Sequence, residues 1–294
     1  MSGSSVPLGP ASKSQPIHHR IVTCWGKDTR ILEAKPINSS LQAAMNTKST
    51  PLILSALFAL FVVLSGCESS SSAVSSESNE DAPAVFSVFA ASVDVFQDGN
   101  TIIIESSGVP NHGSPYWSTS NALYESYDGS NSAFHLNPNR IATQNYTFRI
   151  PATPAEASNK SATPLGAIGV ALNGVAIFNQ YAGPNQPLTN EIDSFDQYNG
   201  HPQQSGAYHY HVEPVYITDL VGKDGLLGYL LDGFPLYGPI EASQTVTNNN
   251  LDAYHGHEHA TDEYPDGIYH YHVTAEDPYI NGNGFFGTAG TVSQ

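Results

Sequence analysis

The residues best equipped for chemistry occur as one tetrapeptide written twice, Tyr208-His209-Tyr210-His211 and Tyr269-His270-Tyr271-His272, each followed by a valine, Val212 and Val273. In an extended strand, alternate side chains point to opposite faces. His209 and His211 then share one face, and His270 and His272 another. The tyrosines and valines take the side that packs. Two imidazoles at i and i+2 are close enough to hold one metal ion, and two such strands offer four donors. Neutral imidazole binds Zn, Cu, Ni and Fe. The expectation is a histidine-rich site between the two strands, around a common cation, with the residues alone leaving open one shared site or two equivalent ones.

Further donors precede each copy. Asp196-Gln197-Tyr198-Asn199-Gly200-His201 and Asp252-Ala253-Tyr254-His255-Gly256-His257 share the pattern Asp-x-Tyr-x-Gly-His. His201 and His257 are therefore candidate ligands. Asp196 and Asp252 are expected to ligate directly, or to accept the second ring N–H of a histidine and fix its tautomer. His112, in a turn at Gly108-Val109-Pro110-Asn111-His112-Gly113, either completes the site or caps the turn. His255 and His259 read as surface residues or a loose secondary site. Glu258 is a general base that nothing positions, and His135 has no context.

The elements that must carry these residues read as strands. Val85 to Phe96 alternates partly. Asp98-Gly99 turns into Thr101–Glu105, and Gln144 to Ile150 stops at Pro151. Ile168–Leu172 leads through Asn173-Gly174 into Val175–Phe178. Leu227–Leu231 leads through Asp232-Gly233 into Phe234–Tyr237. Both read as hairpins with positive φ at the two turn positions. Pro235 argues for an edge strand or a bulge. Hairpin, Asp-x-Tyr-x-Gly-His and Tyr-His-Tyr-His-Val recur in one order at offsets of 59, 56 and 61 residues. The expected fold is all-β with few short helices: an internally duplicated, pseudo-two-fold β-sandwich or barrel-like domain over 84–287, its duplicated part about 165–287, with a tail at 288–294.

Pro51 to Leu64 is a run of 14 almost wholly apolar residues, preceded by Met45 and Lys48 and ending in Leu64-Ser65-Gly66-Cys67. This is short of the roughly 20 residues that span a bilayer and matches a secretory signal. Residues 45–66 read as a lipoprotein signal peptide, with Cys67 as the lipidated residue and the protein's attachment to the membrane. Residues 1–44 read as a non-native or disordered leader, and 67–83 as a Ser- and Glu-rich tether. From Cys67 onward, 25 Asp and Glu face four Lys and Arg, a net of −21. Such a field repels nucleic acid, which is not an expected partner. Cys24 and Cys67 leave the exported part without a disulfide. There is no nucleophile elbow, phosphate loop or dinucleotide fingerprint.

The paired Tyr-His-Tyr-His, the run Leu231-Asp232-Gly233-Phe234-Pro235-Leu236-Tyr237-Gly238-Pro239, the Asp-x-Tyr-x-Gly-His segments, Gly108–His112 and Asp277-Pro278-Tyr279 together resemble the YHYH-domain proteins, from Gly108 to about Gly287. The resemblance implies a bacterial exported or surface setting and favours His112 as part of the shared site. Relatives often carry cysteine where this chain has Tyr198 or Tyr254 and near Asn283, so a disulfide implied elsewhere is missing and rigidity must come from packing.

These readings converge on a lipid-anchored, metal-binding domain of the cell envelope, at its periplasmic face or surface. All-histidine donors without thiolate favour Cu(II), then Zn(II). Two rival readings remain: a metal-dependent enzyme (a hydrolase with zinc, an oxidase with copper), and a surface interaction or carbohydrate-binding module with structural histidines.

Overall fold

The computed structural model describes residues 80–294. The signal-peptide stretch, Cys67 and nearly all of the tether lie outside these residues. Most described elements are strands, with one α-helix, α1 (Val215–Val221), and four short 3-10 turns. Among the described residues no helix is long and apolar enough to cross a membrane.

The main sheet has eight strands: β1 (Ala167–Ala171), β2 (Ala176–Phe178), β3 (Gly200–Pro202), β4 (Tyr208–Tyr210), β5 (Leu226–Leu230), β6 (Pro235–Tyr237), β7 (Gly256–His259) and β8 (Ile268–His272), in the spatial order β3-β4-β2-β1-β5-β6-β8-β7. The order reads alike from both ends. Each half is a hairpin (β1–β2 or β5–β6), then a parallel Tyr-His-Tyr-His strand, then an antiparallel outer strand. The halves meet where β1 pairs antiparallel with β5.

A five-stranded sheet comprises Glu80–Asp81, Asp94–Asp98, Thr101–Ser106, Tyr146–Pro151 and Thr291–Ser293. Its buried Ile102, Ile104, Phe148 and Ile150 join one core with Ile168, Val170, Ile177, Leu230 and Leu236 of the main sheet. The arrangement is all-β and no barrel closes. Ordered sheet extends past Gly287, because Val292 pairs with Phe148.

Both expected hairpins form, but through a different turn. Ala171 N–H donates to Val175 O and Gly174 N–H to Ala171 O, closing a three-residue loop. Leu230, Gly233 and Phe234 repeat these bonds. Only Gly174 (φ 83°) and Gly233 (φ 84°) are left-handed, whereas Asn173 and Asp232 are not. The loop is therefore a three-residue turn ended by a left-handed glycine, rather than a two-residue turn with both φ positive. Pro235 opens β6 inside the sheet, between β5 and β8, not at an edge. A first position is one of the few a strand proline tolerates, and a register shift lies on the facing strand between Leu226 and Gly228.

Alternation along β4 and β8 works as the sequence requires. Tyr208, Tyr210 and Tyr271 are fully buried, and Tyr269 nearly so. A buried hydroxyl needs a partner, and each has one. Tyr208 donates to Asp196 at 2.9 Å and Tyr269 to Asp252 at 2.9 Å. Tyr271 donates to Asp232 at 2.6 Å and accepts from Phe286 N–H at 2.7 Å. Tyr210 accepts from Asn173 Nδ2 at 3.2 Å and donates to His112 Nε2 at 3.0 Å.

Removing the Tyr271 hydroxyl in Tyr271→Phe leaves the buried Asp232 short of one donor and Phe286 N–H without its acceptor. The expected loss is about 2 kcal/mol or more in chemical denaturation, from the usual cost of unsatisfied buried groups. A change under about 0.5 kcal/mol would show that water replaces the hydroxyl.

Candidate metal centres

The main sheet sets the two Tyr-His-Tyr-His strands four strands apart. Five inter-strand steps of about 4.8 Å put them about 24 Å from each other. No single ion is held between them, and the expectation of a common cation there is corrected. The imidazoles instead converge on two separate clusters, each built by a Tyr-His-Tyr-His strand and the outer strand beside it.

In the first cluster His201 on β3 lies directly opposite His209 on β4. His211 follows just past β4, on the same face. Nε2 of His209 is 3.1 Å from Nε2 of His201 and 3.0 Å from Nε2 of His211. All three rings are buried. Phe178 stacks on His209 with centroids 4.0 Å apart, and Phe195 lies parallel to His211.

The tautomers follow from the partners. A carbonyl oxygen only accepts, so His209 Nδ1 donates to Ala207 O at 3.0 Å and His211 Nδ1 to Asn179 O at 2.5 Å. His201 Nδ1 meets Ser194 Oγ at 2.7 Å, and that hydroxyl spends its own proton on Glu191 O at 2.8 Å. Ser194 Oγ must then accept from His201. Each neutral ring has its proton on Nδ1, and three Nε2 lone pairs face one another with none to share.

Nor are the rings protonated. Burial pushes His201 down to about 3, reinforced by His211. Burial first, then His201 and His211, holds His209 well below the ordinary imidazole value. Burial takes His211 to about 4, against the opposing pull of the Asn179 carbonyl. Three nitrogens around one tetrahedral zinc, each about 2.0–2.1 Å from it, lie about 3.3 Å apart. The observed spacing is of that size, and the donor set fits a cation.

The second cluster repeats the plan with more donors. His257 on β7 is opposite His270 on β8, and His259 joins them from two residues along. His257 Nε2 and His259 Nε2 are 3.2 Å apart. Glu241, from the small hairpin Ile240–Glu241 and Gln244–Thr245, brings Oε1 against all four imidazoles: 3.3 Å from His257, 3.7 Å from His270, 3.6 Å from His272, and in direct contact with His259. The Nδ1 atoms of His259, His270 and His272 are tied to the carbonyls of Ala260, Ile268 and Gly238. His272 Nε2 is buried with no hydrogen-bond partner. Burial lowers His270 to about 4 and also lowers His272. Burial works to raise the Glu241 carboxyl, but His257, His259 and His272 bring it below its usual value. Glu241, His257, His259 and His270 offer donor atoms all within 4.8 Å of one another, as do His201, His209 and His211.

Of the residues singled out from sequence, His201, His209 and His211 meet in one cluster, and His257, His270 and His272 in the other. His112 is in neither. It lies on the tyrosine side, between Tyr198 and Tyr216, bonded to Tyr210. Asp196 and Asp252 touch no cluster histidine. Asp196 accepts from Tyr208, Ser114 Oγ and the N–H groups of Tyr198 and Gly200. Asp252 accepts from Tyr269 and the N–H groups of Tyr254 and Gly256. Backbone carbonyls and Ser194 orient the rings instead. His255 is buried with its Nε2 at Thr274 Oγ1, and its ring belongs to neither donor set.

Sequence reasoning passed over Glu241, Glu191 and Ser194 and set His259 aside. The i, i+2 spacing of His257 and His259 was the available signal. The two glutamates come from loops with no repeating spacing.

A family match bears on this geometry. The YHYH protein family matches residues 147–249 and 240–283, a span holding both clusters and the main sheet. The domain belongs to the YHYH protein family. No curated protein and no solved structure matches the chain. In this YHYH domain both copies of the signature do the same two things: the tyrosines fasten the strand to carboxylates or an amide, and the histidines face a donor cluster.

Burial lowers His112 to about 4, against the pull of the Gly113 carbonyl, and lowers His255 to about 4. A histidine free in the unfolded chain titrates near 6.5. Between about 6.5 and 4 these histidines bind more protons in the unfolded state, so their contribution to stability is full above that window and falls on acidification through it, while Asp196, raised by burial to about 6, works in the opposite direction. The metal-free domain should lose denaturation midpoint steadily from pH 7 to pH 4.5, with a shallower slope in His112→Gln. A slope in His112→Gln equal to that of the unaltered domain would contradict the burial of a neutral imidazole at this position.

Proposed function

We propose that this YHYH domain binds divalent transition-metal ions, one in each histidine cluster. The observation that carries the reading is the set of Nε2 lone pairs 3.0–3.1 Å apart in the first cluster, on rings whose only protons are committed to Nδ1 acceptors. Bare lone pairs at that distance repel, and a cation among them turns repulsion into coordination. The orphaned His272 Nε2 and the crowded Glu241 carboxylate support the same reading for the second cluster. Imidazole and carboxylate donors without thiolate favour copper, with zinc next. Calcium and magnesium prefer all-oxygen shells.

The same proposal includes an exported, lipid-anchored protein of the bacterial cell envelope, attached through Cys67. It rests on the apolar run before Leu64-Ser65-Gly66-Cys67 and the strongly acidic remainder of the chain.

Purified domain, stripped and reloaded, should retain two equivalents of copper or zinc by elemental analysis after desalting. His209→Ala with His211→Ala should retain one, and so should His257→Ala with His270→Ala. Full metal content in both double variants, with native circular dichroism, would refute binding at these clusters.

A further inference from the structure

The two clusters differ in how completely they surround an ion, and in what lies beside them. The first gathers three nitrogens. Its carboxylate, Glu191 on the turn after Leu188–Asn190, stands back: Oε2 is 3.8 Å from Nε2 of both His201 and His211. The second gathers three imidazoles with Glu241 already among them, and His272 aims a further Nε2 at the same oxygen. A four-donor shell is complete, whereas a three-donor shell leaves one position to water or another ligand.

The surroundings point the same way. His201, His209 and His211 line a cavity of about 550 Å³. Phe178 and Tyr181 supply flat walls, Asn137, Asn139 and Gln203 supply amides, and Glu191 is the one carboxylate in the lining. The cavity beside the second cluster is about 280 Å³ and carries Asp224, Glu241, Asp262 and Glu263. Four carboxylates draw cations in and keep anions out. An aromatic and amide lining suits a flat, neutral, polar molecule.

We infer that the two centres are unequal: the first keeps a coordination position open to its cavity and takes a small uncharged ligand there through a nitrogen or oxygen donor, while the second is closed by Glu241. The inference rests on the metal-binding reading and deepens it. Glu191, in the cavity lining, and the domain's net negative charge both disfavour anionic ligands.

The test uses the protein loaded with two equivalents of Cu(II) and followed by electron paramagnetic resonance at pH 8. Its probes are isonicotinamide and isonicotinate, which share shape and donor nitrogen but differ in charge. Isonicotinamide should shift one of the two copper signals, and isonicotinate should bind at least tenfold more weakly. The shift should survive in His257→Ala with His259→Ala and vanish in His209→Ala with His211→Ala. Should those variants fold poorly, Gly183→Phe provides the second arm. Gly183 lines the first cavity and its added Cβ meets nothing within 4 Å. That variant should keep both coppers and bind isonicotinamide at least tenfold more weakly. Shifts in both signals, in neither, or in the second centre alone would overturn the inference, as would equal affinity for the two probes or a Gly183→Phe variant that binds normally. Fewer than two coppers in the unaltered protein would instead undo the metal-binding reading itself.

Discussion

The two-residue alternation of a β-strand is the constraint on which the rest of this domain depends. It compels a Tyr-His-Tyr-His strand to bury two phenols wherever it presents two imidazoles. The phenols set the demand. Each carries a hydroxyl into a nearly dry core, where an unmet hydrogen bond is expensive. The partners are Asp196, Asp252 and Asp232, together with Asn173 and His112. A carboxylate held this deep is itself unfavourable. Burial raises Asp196 to about 6, and Ser114, Tyr208, Gly200 and Tyr198 pull back against it. The histidine face is thus steadied from behind by a hydrogen-bonded layer.

The same division explains the imidazoles. Every ring with an assigned Nδ1 partner in the clusters is oriented by a carbonyl or by Ser194, mostly within a few residues, but from Asn179 for His211 and from Gly238 for His272. A main-chain carbonyl is a weaker lever on ligand basicity than a carboxylate. It does leave the rings neutral and the acidic groups free for other work. Asp196 and Asp252 are close in sequence to the cluster histidines yet face the tyrosines, because the turn that brings Gly200 or Gly256 into its strand closes on the aspartate side chain.

Much of this was legible in the sequence. Alternation separated tyrosine from histidine, Asn-Gly and Asp-Gly located both hairpins, and the recurring order of motifs anticipated a main sheet whose halves repeat the same pairings. What escaped was set by long-range geometry. Nothing local says that the hairpins β1–β2 and β5–β6 sit side by side and push the two signature strands outward. Periodicity is equally silent about the connections: Glu241 reaches its cluster from a two-residue strand, and Glu191 stands beside the other from the turn after Leu188–Asn190. The turn type failed for a physical reason. Asn173 and Asp232 are held in place by bonding Val175, Tyr210, Tyr271 and Gly287, so one left-handed residue, not two, fits the loop.

The small strand Thr291–Ser293 has a consequence for how the domain is made. Its partner is the strand Tyr146–Pro151, paired through Val292 and Phe148, 144 residues away in sequence. Closing so long a loop costs entropy before the pairing returns anything, and topologies rich in such contacts assemble slowly. The five-stranded layer is therefore complete only once Thr291–Ser293 has found Tyr146–Pro151. Until Thr291–Ser293 docks, Tyr146–Pro151 is left as an open edge of the sheet, and the last act of folding is to cover it.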